Sequence, residues 1–198
     1  MKRFLRLGLA LFLVSLTART ASASSIVLNG GFESGFTSWT TTPGTGTLFG
    51  VGGNANSGAS AAFFGGVNFG GGNEDTISQS LATNAGQAYQ VSFWLRMDNG
   101  GCIFPLQLNC FNQDFNAFWG NTQIFGTAST APFSYTRFSF LVGATGPATN
   151  LTFKAANEPG YYYLDDVSVE AVPEPSTWLL IGTGVAALAA RRRSLRRS

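Results

Sequence analysis

Three acidic side chains stand near the two ends of one module. Glu33 falls in Leu28-Asn29-Gly30-Gly31-Phe32-Glu33, and Asp165 and Asp166 fall in Tyr163-Leu164-Asp165-Asp166-Val167. Carboxylates joined by the carbonyls of a glycine-rich turn make a hard-oxygen set suited to calcium, with plain strand-end capping as the competing role. Successive strand residues point to opposite faces, so Asp165 and Asp166 both ligate only across a bulge. Asp165, on the face of Val167 and Val169, is the expected ligand of the two. A glycosidase pair needs two acids about 5 to 9.5 Å apart across a cleft. Glu74-Asp75 and Asp165-Asp166 are instead sequence neighbours, and the chain has no His, which excludes Ser/His/Asp and Cys/His catalysis and any imidazole metal site. The expectation is a protein that is not an enzyme.

Exposed Trp and Tyr faces stack on sugar rings while nearby amides fix hydroxyls. Trp119-Gly120-Asn121 reads as a turn, and Tyr161 follows the loop Asn157-Glu158-Pro159-Gly160. The expected ligand face is therefore Trp119, Asn121 and Tyr161, against packing of the same residues in a phenylalanine-built core. Trp39 is expected in that core, whereas Trp94 alternates away from Phe93 towards solvent. Cys102 and Cys110 are the only cysteines. In an oxidising compartment a bridge between them closes a nine-residue loop, worth about 2.6 kcal/mol by chain entropy, with a redox-active pair as the weaker reading. Residues 100–116 look like an inserted loop carrying Phe104, Leu106, Leu108, Phe111 and Phe115, and Phe69-Gly70-Gly71-Gly72-Asn73-Glu74-Asp75 like a surface turn.

Period-2 alternation supplies the elements that must position these groups. Val91, Phe93 and Leu95 share one strand face; Thr136, Phe138, Phe140 and Val142 share another; Leu151, Phe153 and Ala155 repeat the pattern, and Tyr161 to Val169 forms a final strand. No capped helical stripe interrupts them, so residues 24–171 are expected to form an all-β antiparallel β-sandwich of the jelly-roll kind.

The flanks read as addresses. Residues 1–23 have a basic start, an apolar run from Leu7 to Leu16 and a small-residue end at Ala21-Ser22-Ala23, the pattern of a secretory signal helix. At the other end Val172-Pro173-Glu174-Pro175 precedes an apolar stretch, 178–190, and the arginine-rich 191–197 with Arg191, Arg192 and Arg193. Thirteen residues span about 20 Å as a helix, short for a hydrocarbon core of roughly 30 Å, so Trp178 and snorkelling arginines must cover the mismatch. This is the look of a transient transmembrane helix in the inner membrane, its arginines cytoplasmic. The formal net charge of +2 is carried by these flanks. Between them Arg96, Arg137 and Lys154 face nine acids for a net −6, so a nucleic-acid partner is excluded.

The tail resembles the PEP-CTERM sorting signal of Gram-negative bacteria, its Pro-Glu-Pro standing as Pro173-Glu174-Pro175 within 172–197. That resemblance implies processing by an exosortase and delivery to the cell surface or an exopolysaccharide-rich matrix such as a biofilm. The middle is similar to galactose-binding-like sandwiches of the carbohydrate-binding-module type, through the Asn29-Gly30-Gly31-Phe32-Glu33 opening, Ser57-Gly58, Thr76 to Leu81 and Tyr163 to Val167. The resemblance implies one structural calcium held by the Gly31 carbonyl, Glu33 and one of the aspartates, expected to be Asp165. It also implies a ligand from the stretch before Ser57-Gly58, where Gly53, Asn54 and Asn56 offer no carboxylate. The functional expectation is a secreted or surface-sorted, non-catalytic protein that binds carbohydrate. A purely structural matrix component is the alternative, and a polysaccharide hydrolase the remote one.

Overall fold

The structure is a computed structural model that describes residues 24–44, 48–66, 74–98, 100, 111–128, 131–172 and 182–184. The signal segment 1–23, Cys102 with Cys110, and the sorting tail beyond Val172 apart from residues 182–184 lie outside the described residues. Among the described residues no helix is long and apolar enough to cross a membrane.

Among the described residues ten strands follow one another: β1 (Thr40–Thr42), β2 (Phe49–Gly52), β3 (Ala61–Phe64), β4 (Asp75–Ala82), β5 (Ala88–Asp98), β6 (Phe111–Trp119), β7 (Thr122–Thr127), β8 (Phe133–Gly143), β9 (Ala148–Glu158) and β10 (Tyr161–Ala171). They build two five-stranded antiparallel sheets, sheet A in the order β1-β4-β9-β6-β7 and sheet B in the order β2-β3-β10-β5-β8. The expected all-β antiparallel sandwich is present.

Alternation explains why the sheets face each other. In β4 Ile77 and Leu81 point inward, in β5 Val91, Phe93 and Leu95, in β9 Leu151, Phe153 and Ala155, and in β10 Tyr162, Leu164, Val167 and Val169; all are buried. The centre of the core is Phe93, whose ring lies 5.2 Å from Phe153, 5.7 Å from Phe125, 5.8 Å from Phe138 and 6.1 Å from Phe115. Trp39 is in this core as expected, against Phe32 and Phe153.

One expectation fails here. Residues 111–116 are not part of a loop: β6 begins at Phe111 and pairs with both β9 and β7, and Phe115 is a fully buried core ring. The run Phe111-Asn112-Gln113-Asp114 is poor in β-branched residues, so its propensity is weak. Pairing on two sides and burial of Phe115, Ala117 and Trp119 override it.

Candidate functional site

The opening segment runs alongside the middle of β10. Val167 N–H donates to the Gly30 carbonyl at 3.0 Å, and a Cβ on Gly30 would fall 2.0 Å from the Val167 carbonyl oxygen, so only glycine permits the approach. This contact carries Glu33 to Asp165 and Asp166. Where β10 meets β5 the register shifts between Asp165 and Ser168, and Asp166 takes the left-handed conformation with φ 48°. The bulge that the alternation rule demanded is thus present. Both aspartates turn to one side, each with Oδ1 3.9 Å from where a Cβ of Gly31 would stand.

The loop before β3 closes the cradle. Asp165, fully buried, accepts the Asn56 N–H (2.7 Å) and Ser57 N–H (3.1 Å) on Oδ2 and the Asp166 N–H (2.7 Å) on Oδ1. Asp166 accepts the Ser57 hydroxyl at 2.6 Å and the Asn56 side-chain amide at 2.7 Å. Glu33 Oε1 accepts the Ala59 and Ser60 amides at 2.8 and 3.1 Å. Gly58 (φ 64°) makes room for it, since a Cβ there would lie 2.1 Å from Oε1. Burial pushes the Asp165 carboxyl above its ordinary value; the Ser57, Asp166 and Asn56 amides pull it back, and the Asp166 charge adds to the rise. Every one of these donors is neutral, so three carboxylates share the cradle without an ammonium or guanidinium among those bonds.

Sequence reasoning placed Gly31, Glu33 and Asp165 together; the structure sets Gly31 beside both aspartates and ties Glu33 to the same loop before β3, through the Ala59 and Ser60 amides. It left out Asp166 as a partner of the same cradle, and Asn56 and Ser57 as its lid. Among the described residues no group of three or more Asp, Glu, Cys or His side chains has metal-holding geometry. A cation here would draw on two carboxylates and main-chain carbonyls.

Asp75, at the start of β4, was missed as a structural acid. It is fully buried and accepts the Gly44 N–H on Oδ1 (2.9 Å) and the Gly66 N–H on Oδ2 (3.0 Å). Burial raises its pKa, and the Gly44, Gly66 and Gly65 amides lower it in part. The signal available was an acid at a strand start flanked by glycines on other loops.

The expected face of Trp119, Asn121 and Tyr161 does not form. Trp119 points into the core, with its ring 5.8 Å from Tyr89 and its Nε1–H donated to the Gly143 carbonyl at 2.9 Å. Its inward position follows from the register that aligns it with buried Leu151. Tyr161 lies on sheet B, beyond the other end of β9. Leu151 and Glu158 are seven residues apart on that strand, roughly 23 Å at 3.3 Å per residue. Trp94 is half-buried on the outer side of β5.

Asn121 remains at a site, of different composition. The outer face of sheet A holds a groove of about 730 Å³ lined by Phe118, Asn121, Thr149, Asn150, Thr152 and Lys154 among others. Phe118 pairs with Thr152 and Asn116 with Lys154 across β6 and β9, which sets the rows of the face. Lys154 Nζ stands 5.7 Å from the Phe118 ring centroid. Next to it, Gln123 donates to Asn116 Oδ1 (2.9 Å) and Asn116 to Asp114 Oδ2 (3.0 Å). The face therefore presents amides, hydroxyls and one aromatic ring, donors and acceptors of the kind that pair with sugar hydroxyls.

The fold is a two-sheet antiparallel sandwich of the kind that carbohydrate-binding modules share. The carbohydrate-binding module TmCBM61, solved in complex with β-1,4-galactotriose, superposes with a TM-score of 0.57 at 16% identity over 75% of this chain and 99% of its own. The CBM22-1 xylan-binding domain of Paenibacillus barcinonensis Xyn10C gives a TM-score of 0.51 at 16% identity over 78% of this chain and 99% of its own. The enzymatically active domain of bacteriophage CBA120 tailspike protein 4 gives 0.55 at 12% identity, over 75% of this chain and 21% of its own. At such identities the likeness is one of fold.

Residues 171–193 match the PEP-CTERM protein-sorting motif. The chain carries that signal, which indicates a secreted protein and implies processing by an exosortase. No curated protein sequence matches the chain.

Proposed function

We propose that this is a non-catalytic glycan-binding protein, exported and sorted to the cell surface or exopolysaccharide matrix of a Gram-negative bacterium. The observation that carries the reading is the groove on the outer face of sheet A. Asn121 and Asn150 supply paired donors and acceptors, Thr149 and Thr152 hydroxyls, and Phe118 an apolar ring for the C–H face of a sugar. The sandwich core beneath it is rigid, so the groove is formed before the ligand arrives and little ordering cost attends binding. Glycan-array binding, followed by calorimetry on the leading neutral oligosaccharide, tests it. Phe118→Ala combined with Asn150→Ala is expected to weaken binding at least tenfold without moving the melting midpoint by more than a few degrees. Undiminished binding in that variant, or no neutral glycan bound at all, overturns the groove.

The same reading assigns one calcium ion to the cradle, held by two carboxylates, Glu33 and Asp165, with main-chain oxygen from the Gly31 turn. Two facts support it: three carboxylates gather where all donors are neutral, and a glycine at position 31 leaves both Asp Oδ1 atoms open to the same side. A bound ion would tie the opening segment, the loop before β3 and β10 together. At a hundredfold excess over Kd, calcium would add about 2.7 kcal/mol of stability, and chelation would remove it.

A further inference from the structure

The outer face of sheet B differs from that of sheet A. Two of the three basic residues between Ser24 and Ala171, Arg96 and Arg137, lie on it. Register fixes this: Arg96 pairs with Tyr163 of β10, and Arg137 pairs with Trp94 of β5, while the intervening Leu95 and Tyr162 point into the core. Arg96 and Arg137 are thus diagonal neighbours on adjoining strands, a spacing within reach of long side chains.

Among the described residues their guanidinium groups are nearly unspent. Arg96 packs over the Tyr163 ring at 5.0 Å and makes no hydrogen bond or ion pair among the described residues. Among the described residues Arg137 gives a single hydrogen bond of 3.3 Å, to Ser92 Oγ. Acids that act on the same tyrosines as Arg96 have other partners. Asp98 accepts the Tyr161 N–H at 3.1 Å and also bonds the Tyr163 side chain, and Asp165 is closed by main-chain amides. Beside the arginines is an aromatic shelf, with Phe63 and Tyr161 edge to face at 5.7 Å and Tyr161 and Tyr163 at 5.9 Å. Gly52, Gly53 and Asn54 border it, leaving a shallow pocket of about 200 Å³, several times the roughly 30 Å³ share of one water.

A planar fork with N–H donors to spare beside aromatic rings recognises a carboxylate borne on a ring. We propose that the outer face of sheet B is a second glycan site, selective for uronic-acid units. The sugar ring lies on Tyr161 and Phe63, and its carboxylate is held by Arg96 and Arg137. In a module of net −6, this is the face where an acidic polysaccharide can approach. The proposal shares with the preceding reading the premise that the molecule binds glycans, but not its site.

Calorimetry with a galacturonate trimer tests it, with a neutral galactose trimer run in parallel on the full chain. Arg96→Gln with Arg137→Gln is expected to weaken galacturonate binding at least tenfold, as is Tyr161→Ala, while neutral-sugar binding in the groove stays as in the parent. Raising the salt from 50 to 500 mM should weaken the acidic sugar alone. Arg137→Gln by itself, an exposed change that leaves the Tyr163 stacking intact, should cost several-fold and separates recognition from folding. Galacturonate affinity unchanged in the double variant, lost instead on Lys154→Gln, or absent from the start would overturn the proposal. Loss of neutral binding alone would overturn the groove and leave this site standing.

Discussion

Asp75 and Asp165 are both fully buried carboxylates held by main-chain amides, yet they stand in different company. Asp75 is tied to glycine amides from two other loops, and no second carboxylate is among its partners. Asp165 has Glu33 and Asp166 in the same cradle, each taking its own donors. The first arrangement is complete: one charge, neutral amides, loops locked. The second gathers more acidic side chains along one loop than pinning that loop requires, and the proposed ion site rests on that difference.

The largest way to break the comparison is to delete each acid. Asp75→Ala or Asp165→Ala leaves two or three N–H groups, most of them part-buried, without their acceptors, at up to about 1 to 3 kcal/mol each. Urea unfolding should show a loss of about 2 to 4 kcal/mol in chelator for both, partly offset because a buried charge goes too. In excess calcium the Asp165 variant should lose more than the Asp75 variant. Equal losses would make Asp165 another structural acid.

Chelation is next in size. Adding EDTA should lower the melting midpoint of the parent and of Asp75→Asn by about 5 to 10 °C, from about 2.7 kcal/mol of linkage at 2 to 4 °C per kcal/mol, and leave Asp165→Asn unmoved. No shift in the parent removes the metal.

The pH response is smaller. Both aspartates have pKa values raised above the ordinary 3.8, chiefly by burial, so the folded state binds the proton more tightly than the unfolded chain. Their stabilising contribution is fully present below 3.8 and is lost as pH rises through the folded values. In chelator, then, the two sites should raise stability as pH falls from 7 towards 4, and Asp75→Asn should flatten that slope without abolishing it. In calcium the trend should reverse, since protonation displaces the ion.

The smallest effect belongs to Glu33→Gln. Its amide oxygen still accepts from Ala59 and Ser60, so stability in chelator should change by under about 1 kcal/mol while calcium affinity falls at least tenfold.

Alternation made the sheets legible wherever apolar residues lined one face, as in Val91, Phe93 and Leu95. It failed at β6, where Gln113 and Asp114 dilute the pattern and pairing with β9 decides the strand. The Gly31 to Glu33 turn and the Asp165-Asp166 pair were each readable because their spacing is local, whereas closure by Asn56 and Ser57 depends on a contact more than a hundred residues away in sequence. Trp119 shows the same limit, because a tryptophan beside a Gly-Asn turn looks exposed until the register with Leu151 turns it inward.

β10 sits between β3 and β5 in sheet B, and its last residue, Ala171, is the first residue of the sorting motif. Val172 N–H still donates to the Ala88 carbonyl, and Ile26 N–H to that of Val169. Tension on the tail is therefore transmitted to a strand whose ladders on both sides lie across the line of pull. Those bonds would be loaded together in shear and not peeled one at a time if a C-terminal tether pulled on the module.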